Sequence, residues 1–457
     1  MSGRKIRDSD PPRPRPLWPV AALLRTLWQG EGNLLSLLPA SAYRVASGPL
    51  GYSRRSIILF NDPISVRQIL EDREAVFPKS DLMVGALEAL IGESIFVSDG
   101  EKWRRQRAMI DPAFSHMRLS LAFRAMRGAL MDHERHLDGL ARSGEPFSLD
   151  LALSHLTADI ICRTVFSVSL DSSVARDVFH DFLVFERHVA QVGILRLIVD
   201  PAWKKVPQKP DVLAACTRIR GHLGALIDRH DGSDDIAAAV MAARDKQTDK
   251  GFSREELIDQ LGVFFLAGHE TTASALTWAF YILATRPDIM QRLRAETEKV
   301  TEGGDVAFEH TRRMPYARAV FQETLRLYPP ITFIPRVALR ETFIGGRRIR
   351  RGALVMIAPW TLHRHKVHWR HPDRFDPERF LPGGDFERSP GAFIPFGAGP
   401  HTCVGAGFAT AEAILILASL ARRFDFDVSR AGPVRPVARL TTRPAREIMC
   451  TLARHHS

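Results

Sequence analysis

The chain has 457 residues, 45% hydrophobic and 25% charged, with 63 Lys+Arg against 52 Asp+Glu and a net charge of +11. That balance excludes a disordered chain and leaves room for a large core or several ordinary domains. Its four cysteines, Cys162, Cys216, Cys403 and Cys450, form no CxxC pair, which argues against a disulfide framework or a structural zinc site and fits a reducing cytoplasm.

Residues 1–16 are basic and proline-rich and read as a flexible arm, with 17–457 as a single large domain. The apolar stretch after residue 16 reads as a short amphipathic helix that can touch a membrane surface. Arg25 interrupts it well short of the ~20 apolar residues of a membrane span. No small-residue cleavage site follows, which argues against a signal peptide. The arginines are dispersed, as in "EKWRRQR", "GGRRIRRG" and "LARRFDF". They accompany no nucleic-acid motif, so the charge reads as a docking face for an acidic protein, with Arg104, Arg105, Arg422 and Arg423 as candidates.

Alternation near 56–60 predicts a strand. Helical periodicity then covers 116–141, 149–166, 173–198, 210–229 and 234–247, with turn-rich breaks at 201–210 and 231–235. Ser253 and Glu256 form a capping-box pair that opens a long apolar helix closed by Pro287. A helix apolar all round belongs in the centre of a domain. Short alternating runs at 342–349 and 353–358 add a small sheet. A loop rich in Pro, Gly, His and Arg runs from 361 to 402, and its histidines (363–371) are assigned no metal. The class is mainly α with a small β region.

Four stretches carry chemistry. "FGAGPHTCVG" (396–405) sets Cys403 in a glycine-rich turn just before a predicted helix. Free N–H groups and the positive dipole end there favour a thiolate. A thiolate in such a turn suits a haem iron, although a buried structural cysteine is the commoner fate of a thiol. "AGHETT" (267–272) lies mid-way along the long helix. Ala267 and Thr271 share a face, Gly268 removes bulk where a groove could open, and Glu270–Thr271 is a carboxylate–hydroxyl pair able to relay protons. The competing reading is a kink with a threonine bonded to its own turn. The zinc-protease pattern fails, because Ala273 stands where the second histidine is required. Glu323 and Arg326 in "ETLRLYPP" can pair at i, i+3, and burial would demand a further partner, which Arg379 offers. Trp103 and Arg107 in "WRRQR" are four apart and offer donors for a carboxylate.

Together these stretches resemble the cytochrome P450 family of haem-thiolate monooxygenases, in its soluble bacterial form. The family's FxxGx(H/R)xCxG loop matches Phe396, Gly397, Gly399, His401, Cys403 and Gly405. Its (A/G)Gx(D/E)TT matches Ala267–Thr272, with Glu in the place often held by Asp. Its ExxR matches Glu323 and Arg326, with Arg379 completing the cluster, and its WxxxR matches Trp103 and Arg107. The matches keep family order over residues 90–410.

The resemblance implies the P450 fold, with haem b between the long central helix and the cysteine loop with its following helix. Cys403 would be the axial thiolate. Trp103, Arg107, Arg336 and His401 would bind the propionates, with Phe396 and Gly397 beside the thiolate and Ala267 on the opposite side. Glu270 and Thr271 would deliver protons to dioxygen. The implied activity inserts one oxygen atom from O2 into a hydrophobic organic substrate. The residues after Cys403 leave no room for a fused reductase, so electrons would come from a separate ferredoxin- or flavodoxin-type donor. The substrate pocket would draw on 79–95, the 185–205 region, Phe264, Phe265 and 331–334. The rival reading is a haem-thiolate binding or sensor protein without turnover, which would not need Glu270–Thr271.

Overall fold

In a computed structural model, residues 11–18, 20–22, 24, 33–50, 56–72, 75–189 and 208–455 are described. The expected membrane-touching helix, most of the 185–205 region and the 201–207 break fall largely outside them. Pro12 and Arg13 lie in the stretch expected to be an arm, and both make contacts. The Pro12 carbonyl accepts from the Tyr328 hydroxyl at 2.8 Å, and Arg13 pairs with Asp373.

The helices are α1 Pro63–Glu71, α2 Asp81–Ile91, α3 Gly100–Ile110, α4 His116–Ser143, α5 Leu149–Val165, α6 Ser173–Val189, α7 Pro210–Asp228, α8 Ile236–Ala242, α9 Arg254–Thr285, α10 Pro287–Thr301, α11 Pro315–Leu327, α12 Pro359–Leu362 and α13 Ala406–Arg423. Among the described residues no helix is long and apolar enough to cross a membrane.

The long helix α9 forms for the reasons read in its sequence. The Ser253 side chain accepts from Glu256 N–H while the Glu256 carboxylate accepts from Ser253 N–H, closing the capping box. From Leu257 to Leu266 every residue is buried, His269 and Glu270 are buried as well, and burial is continuous again from Thr272 to Phe280. A helix with so little polar face is stable only inside a protein. It threads between α5, α7, α11 and α13. At Gly268 a Cβ would stand 2.3 Å from Ile161 Cδ1, so this glycine lets α5 approach. The expected groove at Gly268 is therefore a helix crossing.

Helix α8 stops at Ala242, short of the expected 247. Asp245 wins the backbone there, its carboxylate accepting from Gln247 N–H at 2.7 Å and turning the chain. The main sheet has strand order β1 Ser47–Pro49, β2 Ile57–Phe60, β7 Leu354–Ile357, β4 Ile334–Val337; β2 and β7 run parallel and the other pairs antiparallel. β5 Thr342–Ile344 and β6 Arg347–Ile349 form a hairpin. β3 Phe147–Ser148, β11 Met449–Arg454 and β8 Phe424–Asp427 form a second sheet, and β9 Pro436–Ala438 pairs with β10 Thr442–Pro444. This is a mainly helical single domain with small sheets. One large apolar cluster surrounds α9 and α13, and a smaller one lies under the main sheet.

Candidate active site

The cysteine loop is a chain of turns. Gly397 and Gly399 adopt φ +78° and +70°, the left-handed region that favours glycine. At Gly399 a Cβ would lie 2.5 Å from the Leu70 carbonyl oxygen, so a side chain is excluded twice over. Cys403 N–H donates to the Phe396 carbonyl at 2.9 Å, closing the loop under the sulfur, and α13 starts three residues later. Cys403 is exposed while the other three cysteines are buried. Protein nevertheless surrounds its sulfur closely enough that burial pushes the thiol up, against the Gly405 N–H and Arg107. Both observations describe an atom on the wall of an enclosed cleft. The Gly405 N–H at the helix start and the charge of Arg107 both act in the direction expected to favour a thiolate, and burial of the sulfur outweighs them.

Beside the loop stands a basic cluster short of counter-ions. Arg336 on β4 is 6% exposed and donates to the Pro335 carbonyl at 3.2 Å; burial holds its guanidinium below the usual range. Lys79 bridges to Arg336 through backbone pairing, and its Nζ donates to the carbonyls of Ile95 at 2.8 Å and Ser98 at 2.7 Å. Burial pushes its ammonium down to about 7. The His401 ring packs on Trp103 with centroids 4.0 Å apart. Burial, followed by Lys79 and Arg336, pushes this imidazole down to about 4, and its Nδ1 is buried without a hydrogen-bond partner among the described residues. The nearest carboxylate is Asp99, which accepts from Lys79 N–H at 2.6 Å and lies 3.6 Å from His401 Nε2. Buried cations in excess over carboxylates raise the local demand for an anion. An open sulfur, an orphaned imidazole nitrogen and unpaired cations fit a flat dicarboxylate ligand with a thiolate-binding metal. Lys79 and Asp99 had no motif to mark them.

Arg107 stands against the cysteine loop. Its Nη1 donates to the Thr402 carbonyl at 2.6 Å and its Nε pairs with Asp111 at 2.5 Å, so it braces the cysteine loop.

On α9, the Thr271 hydroxyl donates to the Ala267 carbonyl at 2.7 Å. Glu270 turns the other way. Arg443 of β10 grips both its oxygens, through Nε at 2.7 Å and through Nη2, and the Thr441 hydroxyl donates to Oε1. Adjacent helical residues diverge by ~100°, so a carboxylate and hydroxyl next to each other in sequence need not share a face. Phe264 meets Phe114 edge-on at 5.3 Å, whereas Phe265 packs into the core against Phe182 at 4.4 Å.

Glu323 and Arg326 are fully buried and joined at 2.6 and 2.8 Å. The further partners that burial demands are present. Arg326 also donates to the carbonyls of His363, Pro372 and Arg374, while Glu323 accepts from Asp376 N–H at 2.7 Å and Arg379 at 3.3 Å. His363 accepts from Ile394 N–H at 3.0 Å. This network ties α11 to the long loop that delivers Cys403. Of the four arginines expected on a docking face, Arg105 pairs with Asp245 and Glu256, Arg423 with Glu134 and Asp138, and Arg422 binds the Gly304 carbonyl. Arg104 stays exposed.

A family model for cytochrome P450 matches residues 14–451. The chain is similar to cyclooctat-9-en-7-ol 5-monooxygenase of Streptomyces melanosporofaciens, 32% identical over 89% of this chain and 87% of the relative. It is also similar to cyclooctatin synthase of the same organism, 31% identical over 91% and 90% of the two chains. The crystal structure of the cytochrome P450DA haem domain shares the fold, with a TM-score of 0.79 over 90% of this chain and 89% of that one at 22% identity. The chain belongs to the cytochrome P450 family.

Proposed function

We propose that the protein is a haem-thiolate monooxygenase that inserts one oxygen atom from O2 into a hydrophobic organic substrate. The observation that carries this reading is the open Cys403 sulfur beside buried Arg336 and half-buried Lys79 and His401, whose hydrogen bonds go to backbone carbonyls or leave a ring nitrogen unpartnered among the described residues. What bound haem b supplies is an iron at which dioxygen is reduced and one of its atoms transferred. Cys403 holds that iron from the loop side, with Phe396 and Gly397 shaping the turn. Arg336, His401, Trp103 and Lys79 receive the propionates, and Arg107 fixes the loop backbone behind them. On α9 the Thr271 hydroxyl, now donating to the Ala267 carbonyl, would hold and pass on a proton for the chemistry of the bound group, and Glu270, once released by Arg443, would resupply it.

Phe264 and the apolar residues of α2 favour a hydrophobic substrate such as a terpenoid, fatty acid or aromatic. The relative named for cyclooctat-9-en-7-ol supports an unsaturated, largely apolar alcohol among these. Electrons come from a separate ferredoxin- or flavodoxin-type donor, with Arg104 at the docking face, and the setting is the cytoplasm. The test is the carbon monoxide spectrum of the reduced holoenzyme. A thiolate-type Soret band in the wild type, lost in Cys403→Ser with haem content retained, is the expected result. A histidine-type band in folded wild type overturns it.

A further inference from the structure

The face of α9 turned away from Thr271 carries a second polar cluster. Glu186 of α6, His269 and Glu270 of α9 place ligand atoms within 4.8 Å of one another, and Arg443 lies 3.9 Å from Glu186. Around His269 stand the rings of Phe265, Phe182 and Phe179, at 5.0, 5.8 and 6.0 Å, and its side chain is fully buried. Its Nδ1 lies 3.0 Å from the Phe265 carbonyl. A carbonyl only accepts, so Nδ1 carries a hydrogen. Nε2 lies 3.2 Å from Glu186 Oε1, and neither atom has a hydrogen-bond partner among the described residues.

That geometry favours one proton between the two atoms. A neutral imidazole with Nδ1–H would point an Nε2 lone pair at a carboxylate oxygen, two acceptors facing each other in a dry pocket. One proton between them turns the clash into a charge-assisted contact. The cluster's charge agrees. Arg443 carries +1 and the two glutamates −1 each, so one added proton makes the cluster neutral. A divalent cation would instead leave it positive beside an arginine that already occupies both Glu270 oxygens.

We propose that Glu186 and His269 share one transferable proton and hand it to Glu270 during oxygen activation. This rests on the monooxygenase reading above. In the transfer the N–H bond at His269 Nε2 breaks and an O–H bond forms on Glu270. Glu186, 11% exposed at its side chain, then returns a solvent proton to Nε2. Arg443, 22% exposed at its side chain, keeps Glu270 anionic at rest and swings aside for the transfer. Around the pair stand Glu270 on α9 and Arg443, with Thr441 donating to Glu270, Ser154 of α5 accepting from Arg443 and the Thr157 hydroxyl of α5 donating to the His269 carbonyl. His155 of α5 touches the same Phe179 ring. Glu186 and His269 act through Glu270 and are positioning and relay groups.

The test compares wild type, Glu186→Gln and His269→Asn as holoenzymes, each checked for the thiolate-type spectrum. His269→Gln replaces the second variant if Asn disturbs the spectrum. Nitrogen-15 histidine NMR is expected to show a wild-type ring protonated at both nitrogens, absent in His269→Asn and reverting to neutral Nδ1–H in Glu186→Gln. Oxygen consumption driven by a surrogate ferredoxin system is expected to fall roughly 10-fold or more in Glu186→Gln, with an altered pH profile. Identical ring signals in wild type and Glu186→Gln, an unchanged rate and pH profile, or stoichiometric zinc in wild type lost from His269→Asn each overturn the proposal. If Thr271→Ala raises peroxide yield while Glu186→Gln changes nothing, the relay falls and the monooxygenase reading stands. Wild type that consumes no oxygen sinks that reading, and the ring signals still decide the shared proton.

Discussion

Arg443 and Glu270 form a two-point ion pair across 173 residues of chain, joining the β10 hairpin to the middle of the central helix. Glu270 is 3% exposed, so its carboxylate depends on that guanidinium for compensation. Removing one partner of a buried pair leaves the other charge stranded. Arg443→Ala is therefore expected to destabilise the holoenzyme by about 3 kcal/mol. Denaturant unfolding of the two proteins measures it, and Glu270→Gln in the Arg443→Ala background should restore part of the loss.

Thr271 differs from Glu270 in having, among the described residues, only a backbone partner, the Ala267 carbonyl. Thr271→Ala removes a hydroxyl and leaves no charge unpaired, so folding and carbon monoxide binding should persist. Product formed per electron consumed should drop roughly 10-fold or more, with the electrons recovered as hydrogen peroxide. Parallel assays of reductant, product and peroxide read this directly. Unchanged coupling would remove Thr271 from the proton path.

His363 shapes the acid side of the stability curve. Burial pushes its imidazole down to about 3 from an ordinary 6.5, with Arg326 and Arg364 acting in the same direction. Its Nε2 accepts from Ile394 N–H, which requires the neutral ring. Between those two values the unfolded chain binds a proton that the folded chain refuses, so stability falls as pH falls through that window. His133, also buried and pushed down to about 3, adds to the same slope. Unfolding free energies at several pH values between about 4 and 7 should rise with pH, and His363→Gln should flatten part of that rise.

Much of the site was legible because its chemistry is local. A glycine-rich turn before a helix, a capping box at Ser253 and an i, i+3 ion pair are short-range patterns that backbone geometry enforces. The sequence also showed that Glu323–Arg326 needed a third partner if buried, and the fold supplies Arg379 together with three carbonyls. Gly268 shows the limit. Its missing side chain was visible, and whether the space served a ligand or a neighbouring helix was not, because Ile161 lies over a hundred residues away in sequence.

The amino-acid sequence was enough for the family, the candidate ligand Cys403 in its glycine-rich turn and the central helix, since each rests on residues adjacent in the chain. Which charges meet was fixed by folding. It drew Lys79 to Arg336 and His401, turned Arg107 onto the cysteine loop, and gave Glu270 to Arg443 and away from Thr271. Electrostatic partnership depends on distance and burial after folding, and chain spacing carries neither.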